Sequence, residues 1–221
     1  MIPGLAGTWP PPPGGPEVPP PWTPAPARPP AYPPVPLVYE PAPGPGSLVD
    51  RLLDRRTVLV SGPLDRTVAM DAAARLMLLD GTGDDPVDLL LSCPDGDLVS
   101  AMSLADTVEL VGVEVRALCT GSLGGPPILV FAVASRRIAQ PHAMFRLSEP
   151  DLAIQGRAGD IAHEAERHGA LLGDFHGRLA AATGRRRESV AADLRDRRVL
   201  TTAEAKAYGL VDEVARRLRA T

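Results

Sequence analysis

Several classes of protein are excluded by what this 221-residue chain lacks. No apolar run approaches the ~18–20 residues needed to cross a bilayer. The formal net charge is -4, so there is no basic surplus to hold nucleic acid. The N-terminus shows no basic segment leading into an apolar one, so no signal peptide is expected. There are only two cysteines, Cys93 and Cys119, with no CxxC or Cys/His cluster between them. That rules out a disulfide framework and a cysteine zinc site. Both cysteines sit in apolar runs, which predicts buried free thiols in a reducing compartment and a cytoplasmic protein. No motif calls for a cofactor or a metal.

Aromatic residues are scarce and unevenly spread. Of eight, Trp9, Trp22, Tyr32 and Tyr39 lie in the first 46 residues. The same segment holds 19 of the 26 prolines, so the composition breaks sharply near Gly46. Proline removes an N–H donor and restricts the residue before it, so residues 1–46 cannot form a long helix or a central strand. A Pro-rich disordered tail with polyproline II stretches is expected there, and a single domain from residue 47 to 221.

From Ser47 onward strand and helix patterns alternate. "TVLVSG" (57–62), "PVDLLLSC" (86–93) and "VEVRALC" (113–119) read as strands, the second of the fully buried kind. Residues 66–81 read as a helix closed by Gly81, and 97–112 as a helix capped by Asp97. "PPILVFAVAS" (126–135) predicts a short buried helix. "RRIAQP" and "AMFRLSEP" predict two more strands. A long helix follows over 159–183, with Ile161, Ala165, His168, Leu172, Phe175 and Leu179 along one side. Gly169, Gly173 and Gly177 interrupt it at four-residue spacing, either to admit a second helix or at a cost of about 1 kcal/mol each. Further helices are expected over 185–196 and 201–210, the latter capped by Thr. The whole is an α/β pattern with repeated ββα units.

Six stretches occur in a telling order: "RLLDRRTVLVSGPLD", "LLLSCPDGDLVSAMSLADTVE", "CTGSLGGPPILVFA", "RRIAQPHA", "AIQGRAGDI" and "VLTTAEAKAYGLVDEV". Together they resemble the proteolytic subunit of the ATP-dependent Clp protease, ClpP, across nearly everything from Ser47 to Leu218. The resemblance implies the ClpP/crotonase fold, with the long helix as a protruding handle. It implies heptameric rings, a Clp AAA+ ATPase on the outer face, and a Ser-His-Asp triad.

Carried over position by position, the triad is mostly missing. The nucleophile falls on Gly125, which has no side chain. The next residue, whose N–H the family uses for the oxyanion, is Pro126, which has none. The base falls on Ser148, which cannot take a proton near neutral pH. Asp193 matches the acid. Where the family has Pro-Gly-Gly in the other oxyanion loop, this chain has Pro94-Asp95-Gly96, so Gly96 alone is kept and an anion is added. Ser122 is about one helical turn before Gly125, and His142 is roughly 20 Å of extended chain from Ser148, so neither is expected to replace the lost groups. His163, His168 and His176 on the long helix are expected at its surface or an interface.

The favoured expectation is a non-catalytic ClpP-like subunit that assembles with itself or with active paralogues. An active ATP-dependent serine endopeptidase is the alternative. A crotonase-type acyl-CoA enzyme shares the fold but needs the N–H that Pro126 lacks.

Overall fold

A computed structural model describes residues 48–151 and 157–215, so the Pro-rich tail lies outside the described residues. Five strands form a wholly parallel sheet: β1 (Thr57–Ser61), β2 (Val87–Ser92), β3 (Val115–Cys119), β5 (Arg136–Ala139) and β8 (Glu213–Val214), in the order β1-β2-β3-β5-β8. A smaller sheet joins β4 (Ser122–Gly124) to β6 (Met144–Arg146) in parallel, and β6 to β7 (Val199–Thr201) antiparallel.

Helices α2 (Arg66–Asp80), α3 (Leu98–Leu110) and α4 (Pro127–Ala132) supply much of the core that covers the large sheet. Their ends are written locally. Asp65 accepts the Val68 N–H at 2.9 Å, and Asp97 accepts the Ser100 N–H at 2.8 Å, each satisfying a donor that a helix start leaves free. All six residues of α4 are buried, and Phe131 from α4 meets Phe145 of β6 with ring centroids 5.5 Å apart.

One expectation needs correction. β2 is not buried on both faces. Val87, Leu89 and Leu91 are fully buried, whereas Asp88, Leu90 and Ser92 are half-buried. The reason is that the helices cover one face of the sheet more completely than the other. Across the less covered face, Leu59, Leu90, Leu118 and Ile138 lie in register on four successive strands, with Leu59 40% exposed. The short helix α1 (Leu48–Leu53) had no clear sequence signal and no residue of it is buried.

The long helix α5 (Ala158–Thr183) divides into two parts. Phe175 and Leu179 are fully buried in the second half, and Arg178 pairs with Asp106 and Glu109 of α3 at 2.6 Å each. No described side chain from Gly159 to Ala170 is buried, and Ile161 is 37% exposed. The predicted apolar stripe is therefore covered only over its C-terminal half. The three glycines also part company. Gly173 accepts a hydrogen bond from Arg187 of α6 (Arg187–Arg195) at 2.7 Å. An added Cβ there would lie 2.8 Å from that nitrogen, while Gly169 and Gly177 have open space. α7 (Thr202–Tyr208) starts with a reciprocal Thr201–Glu204 capping box.

Candidate functional site

Three chain segments meet at the turn between β4 and α4. The Gly124 N–H donates to Cys93 O at 2.9 Å and the Gly125 N–H to Arg146 O at 3.0 Å. These bonds draw the loop after β2, the end of β4 and the end of β6 together. Two glycines make the approach possible. A Cβ on Gly124 would overlap the Pro94 carbonyl, and a Cβ on Gly96 would lie 2.7 Å from Pro127 Cγ and 2.8 Å from Leu64 Cβ. Gly125 adopts φ +60°, a left-handed conformation in which a side chain is strained.

The structure does bring the matched nucleophile and base positions together. A Cβ on Gly125 would lie 3.4 Å from Ser148 Oγ, 3.6 Å from Asp95 Oδ1 and 3.7 Å from Ser148 O. Ser148 is 7% exposed. Gly125 and Ser148 thus face each other, with a bare backbone on one side and a hydroxyl on the other. Pro126 is the N-cap of α4 and Pro127 its first residue, so no N–H is presented at the residue following Gly125. The Gly96 N–H is present, but donates to Asp95 Oδ1 at 2.8 Å. Sequence reading had noted the Asp95 charge but not this contact, which depends on the side chain folding back onto the next amide.

Asp193 lies on α6 with both oxygens engaged. Oδ1 accepts from Arg198 at 3.0 Å and Oδ2 accepts the Tyr208 hydroxyl at 2.8 Å. Arg185 stacks over the Tyr208 ring at 3.8 Å. Burial, and then the bond to Asp193, raise the Tyr208 pKa, so the phenol stays a donor. The link back to the corner runs through the β6–β7 ladder and the Leu147 N–H, which donates to Arg198 O at 2.8 Å. Asp193 therefore serves a cation and a phenol where the triad scheme would have it orient an imidazole.

Ser122 is not placed as its spacing implied. It lies in an extended strand, with Ser122 in register with Met144, and not a helical turn before Gly125. The small residues of the segment let it pair with β6 before α4 begins. His142 is exposed in the turn before β6, and among the described residues no hydrogen bond joins it to Ser122. His163 is exposed and His168 half-buried. His176 is half-buried against another segment of the chain. Its side chain is 12% exposed, with Nε2 3.3 Å from Glu149 Oε1 but without hydrogen-bond geometry. Burial lowers its pKa, Glu149 opposes that, and Arg187 and Arg195 add to it. No pattern in the sequence had flagged Glu149, which follows Ser148 directly.

Both cysteines are buried and free, and burial pushes each thiol up to about 11. Neither is a ready nucleophile. Among the described residues no group of three or more His, Cys, Asp or Glu is placed to hold a metal ion, and no helix is long and apolar enough to cross a membrane. An open groove of about 550 Å³ between α3 and α5 contains none of the residues at the Gly125 corner.

Comparison with known proteins agrees with this architecture. Residues 46–217 match the family model described as Clp protease. A Streptomyces coelicolor protein named as ATP-dependent Clp protease proteolytic subunit-like is 35% identical over 172 residues, covering 74% of this chain and 80% of that protein. The ATP-dependent Clp protease proteolytic subunit 2 of Gluconobacter oxydans is 31% identical, covering 76% of this chain and 77% of its own length. The protein of the same name from Corynebacterium glutamicum is 30% identical, with 77% and 88% covered.

Proposed function

The chain belongs to the Clp protease family, and from that premise we propose that it is a non-catalytic subunit of a Clp protease complex. The observation that carries this is the pairing of Gly125 with Ser148. The two positions face each other closely enough for proton transfer, yet neither carries a group that performs it. Attack on a peptide carbonyl needs an oxygen or sulfur nucleophile and a base, and the candidate positions offer a glycine and a buried serine. Asp193, the one matching triad member, is committed to Arg198 and Tyr208.

Its role is then structural or regulatory. It assembles in rings, heptameric by the resemblance, with itself or with paralogues that keep the triad, and dilutes or shapes their catalytic chamber. The uncovered half of α5 and the partly exposed Leu59, Leu90 and Ile138 support a chain that buries further surface on assembly. A Clp AAA+ ATPase as partner and a cytoplasmic location follow from the same reading.

The test is purification from the native cell at low salt, with native mass measurement and a peptidase assay on the isolated chain. The expected result is a ring-sized assembly containing a triad-bearing subunit, and no hydrolysis by this chain alone. Hydrolysis by the isolated chain, with a fluorophosphonate adduct on Ser122 or Ser148, would overturn the proposal. A lone monomer in the cell extract would remove its assembly half.

A further inference from the structure

The geometry points to Asp95 as an internal occupant of the oxyanion position, a carboxylate that closes the site from within; this rests on the reading of the site as non-catalytic and says what holds it closed.

An oxyanion hole works by leaving two N–H groups unpaired until charge develops on the substrate oxygen. Here Pro126 has no N–H to offer. The counterpart amide, on Gly96, already donates to Asp95 Oδ1 at 2.8 Å. The same oxygen lies 3.6 Å from the point where a Gly125 Cβ would stand. A single negatively charged oxygen therefore spans from the remaining donor toward the nucleophile position, which is the place of a tetrahedral oxyanion. The other groups nearest Gly125 are Ser148 Oγ and the Ser148 carbonyl, so acceptors outnumber donors there. A peptide carbonyl entering this space meets a carboxylate rather than a free amide.

The backbone beneath Asp95 is rigid. The Leu64 N–H donates to Asp95 O at 3.0 Å and the Asp97 N–H to Leu64 O at 2.9 Å. Gly96 is clamped between Leu64 and Pro127. The amide cannot turn away, so whatever side chain stands at 95 decides whether it is free. Asp95 itself is exposed and carries no core packing, so its replacement leaves the fold in place.

Two measurements on the full chain test this. In the first, selective glycine labelling follows the Gly96 amide by NMR through an acid titration. The expected result is an amide resonance that moves as the Asp95 carboxyl protonates and that stops moving in Asp95→Ala. A Gly96 amide indifferent to both overturns the assignment. In the second, nucleophile, donor and base are restored together by Gly125→Ser, Pro126→Ala and Ser148→His, with and without Asp95→Gly. Fluorophosphonate labelling is expected to be about 100-fold faster with Asp95→Gly, the effect of regaining one oxyanion donor. Equal labelling rates overturn the occupant role. Labelling of the unaltered chain would instead defeat the non-catalytic reading and leave the Asp95 ratio to decide separately. Should neither restored chain label, the Gly96 titration alone decides.

Discussion

On the proposed reading as a non-catalytic subunit, the corner at Gly125 and the corner at Asp193 depart from a triad in opposite ways. The first has lost its functional groups and kept its packing. Gly96, Gly124, Pro127 and the buried helix α4 still close around a turn with nothing to react. The second has kept its functional group and changed its occupation, with Asp193 bridging Arg198 and Tyr208. The difference teaches that geometry and chemistry are retained by separate forces. A backbone approach is fixed by many neighbours at once, whereas a catalytic side chain persists only if something else makes use of it.

The largest effect should come from the first corner. Gly124→Ala would drive a Cβ into the Pro94 carbonyl, a backbone atom that cannot rotate aside. We expect a loss above about 3 kcal/mol, or failure to fold, read as a lower urea midpoint. A variant as stable as the parent would mean that the packing of this corner is not what preserves it. Gly96→Ala should cost less, about 1–3 kcal/mol, because its overlaps with Pro127 Cγ, Leu64 Cβ and the Leu64 carbonyl, at 2.7–3.0 Å, are milder than the one at Gly124.

The second corner is next in size. Asp193→Ala leaves the nearly buried Tyr208 hydroxyl without its acceptor, a loss of about 1–3 kcal/mol. Tyr208→Phe removes the donor instead and should cost about 1 kcal/mol. If Asp193 were merely a relic, both would be silent in thermal melts. Ser148→Ala supplies the contrast within the first corner. Ser148 is buried, but among the described residues its hydroxyl makes no hydrogen bond, so this change should cost less than about 1 kcal/mol. Gly125→Ala lies between these extremes, since its contacts are ordinary but its φ of +60° costs an alanine about 1–2 kcal/mol.

These contrasts also explain what was legible in the sequence. The helices were, because their signals are local: Asp97 and Thr201 as caps, Gly81 as a stop, and apolar spacing through Phe175 and Leu179. The approach of Ser148 to Gly125 followed from family spacing alone. Other features, the short helix α1 among them, were not legible. β4 is three residues long, too short to show a period, so Ser122 was put on a helical turn. The half-open sheet depends on which face the helices cover, and an apolar run does not record that. Asp95 capping Gly96, and His176 lying against Glu149, are contacts of side-chain direction, one between neighbours and one between residues 27 apart in the chain, and neither leaves a pattern.

The smallest expected effect sharpens the comparison from the handle side. His176 is half-buried on α5 against Glu149, the residue after Ser148. Burial holds its pKa below the ordinary 6.5, with Arg187 and Arg195 acting in the same direction and Glu149 against. The neutral imidazole is therefore the folded form. As pH falls below 6.5 the unfolded chain takes up a proton before the folded one does, and stability declines until the folded pKa is passed. Above 6.5 this group contributes no pH dependence. His176→Gln should flatten that part of the acid limb in urea titrations run between pH 7 and 4. Glu149→Gln should do the reverse, deepening the decline and extending it to lower pH, because a group favouring the charged imidazole is gone. An acid limb identical in all three chains would show that the contact between α5 and the Ser148 segment is electrostatically idle, leaving the packing of Phe175 and Leu179 as what ties the handle to the site.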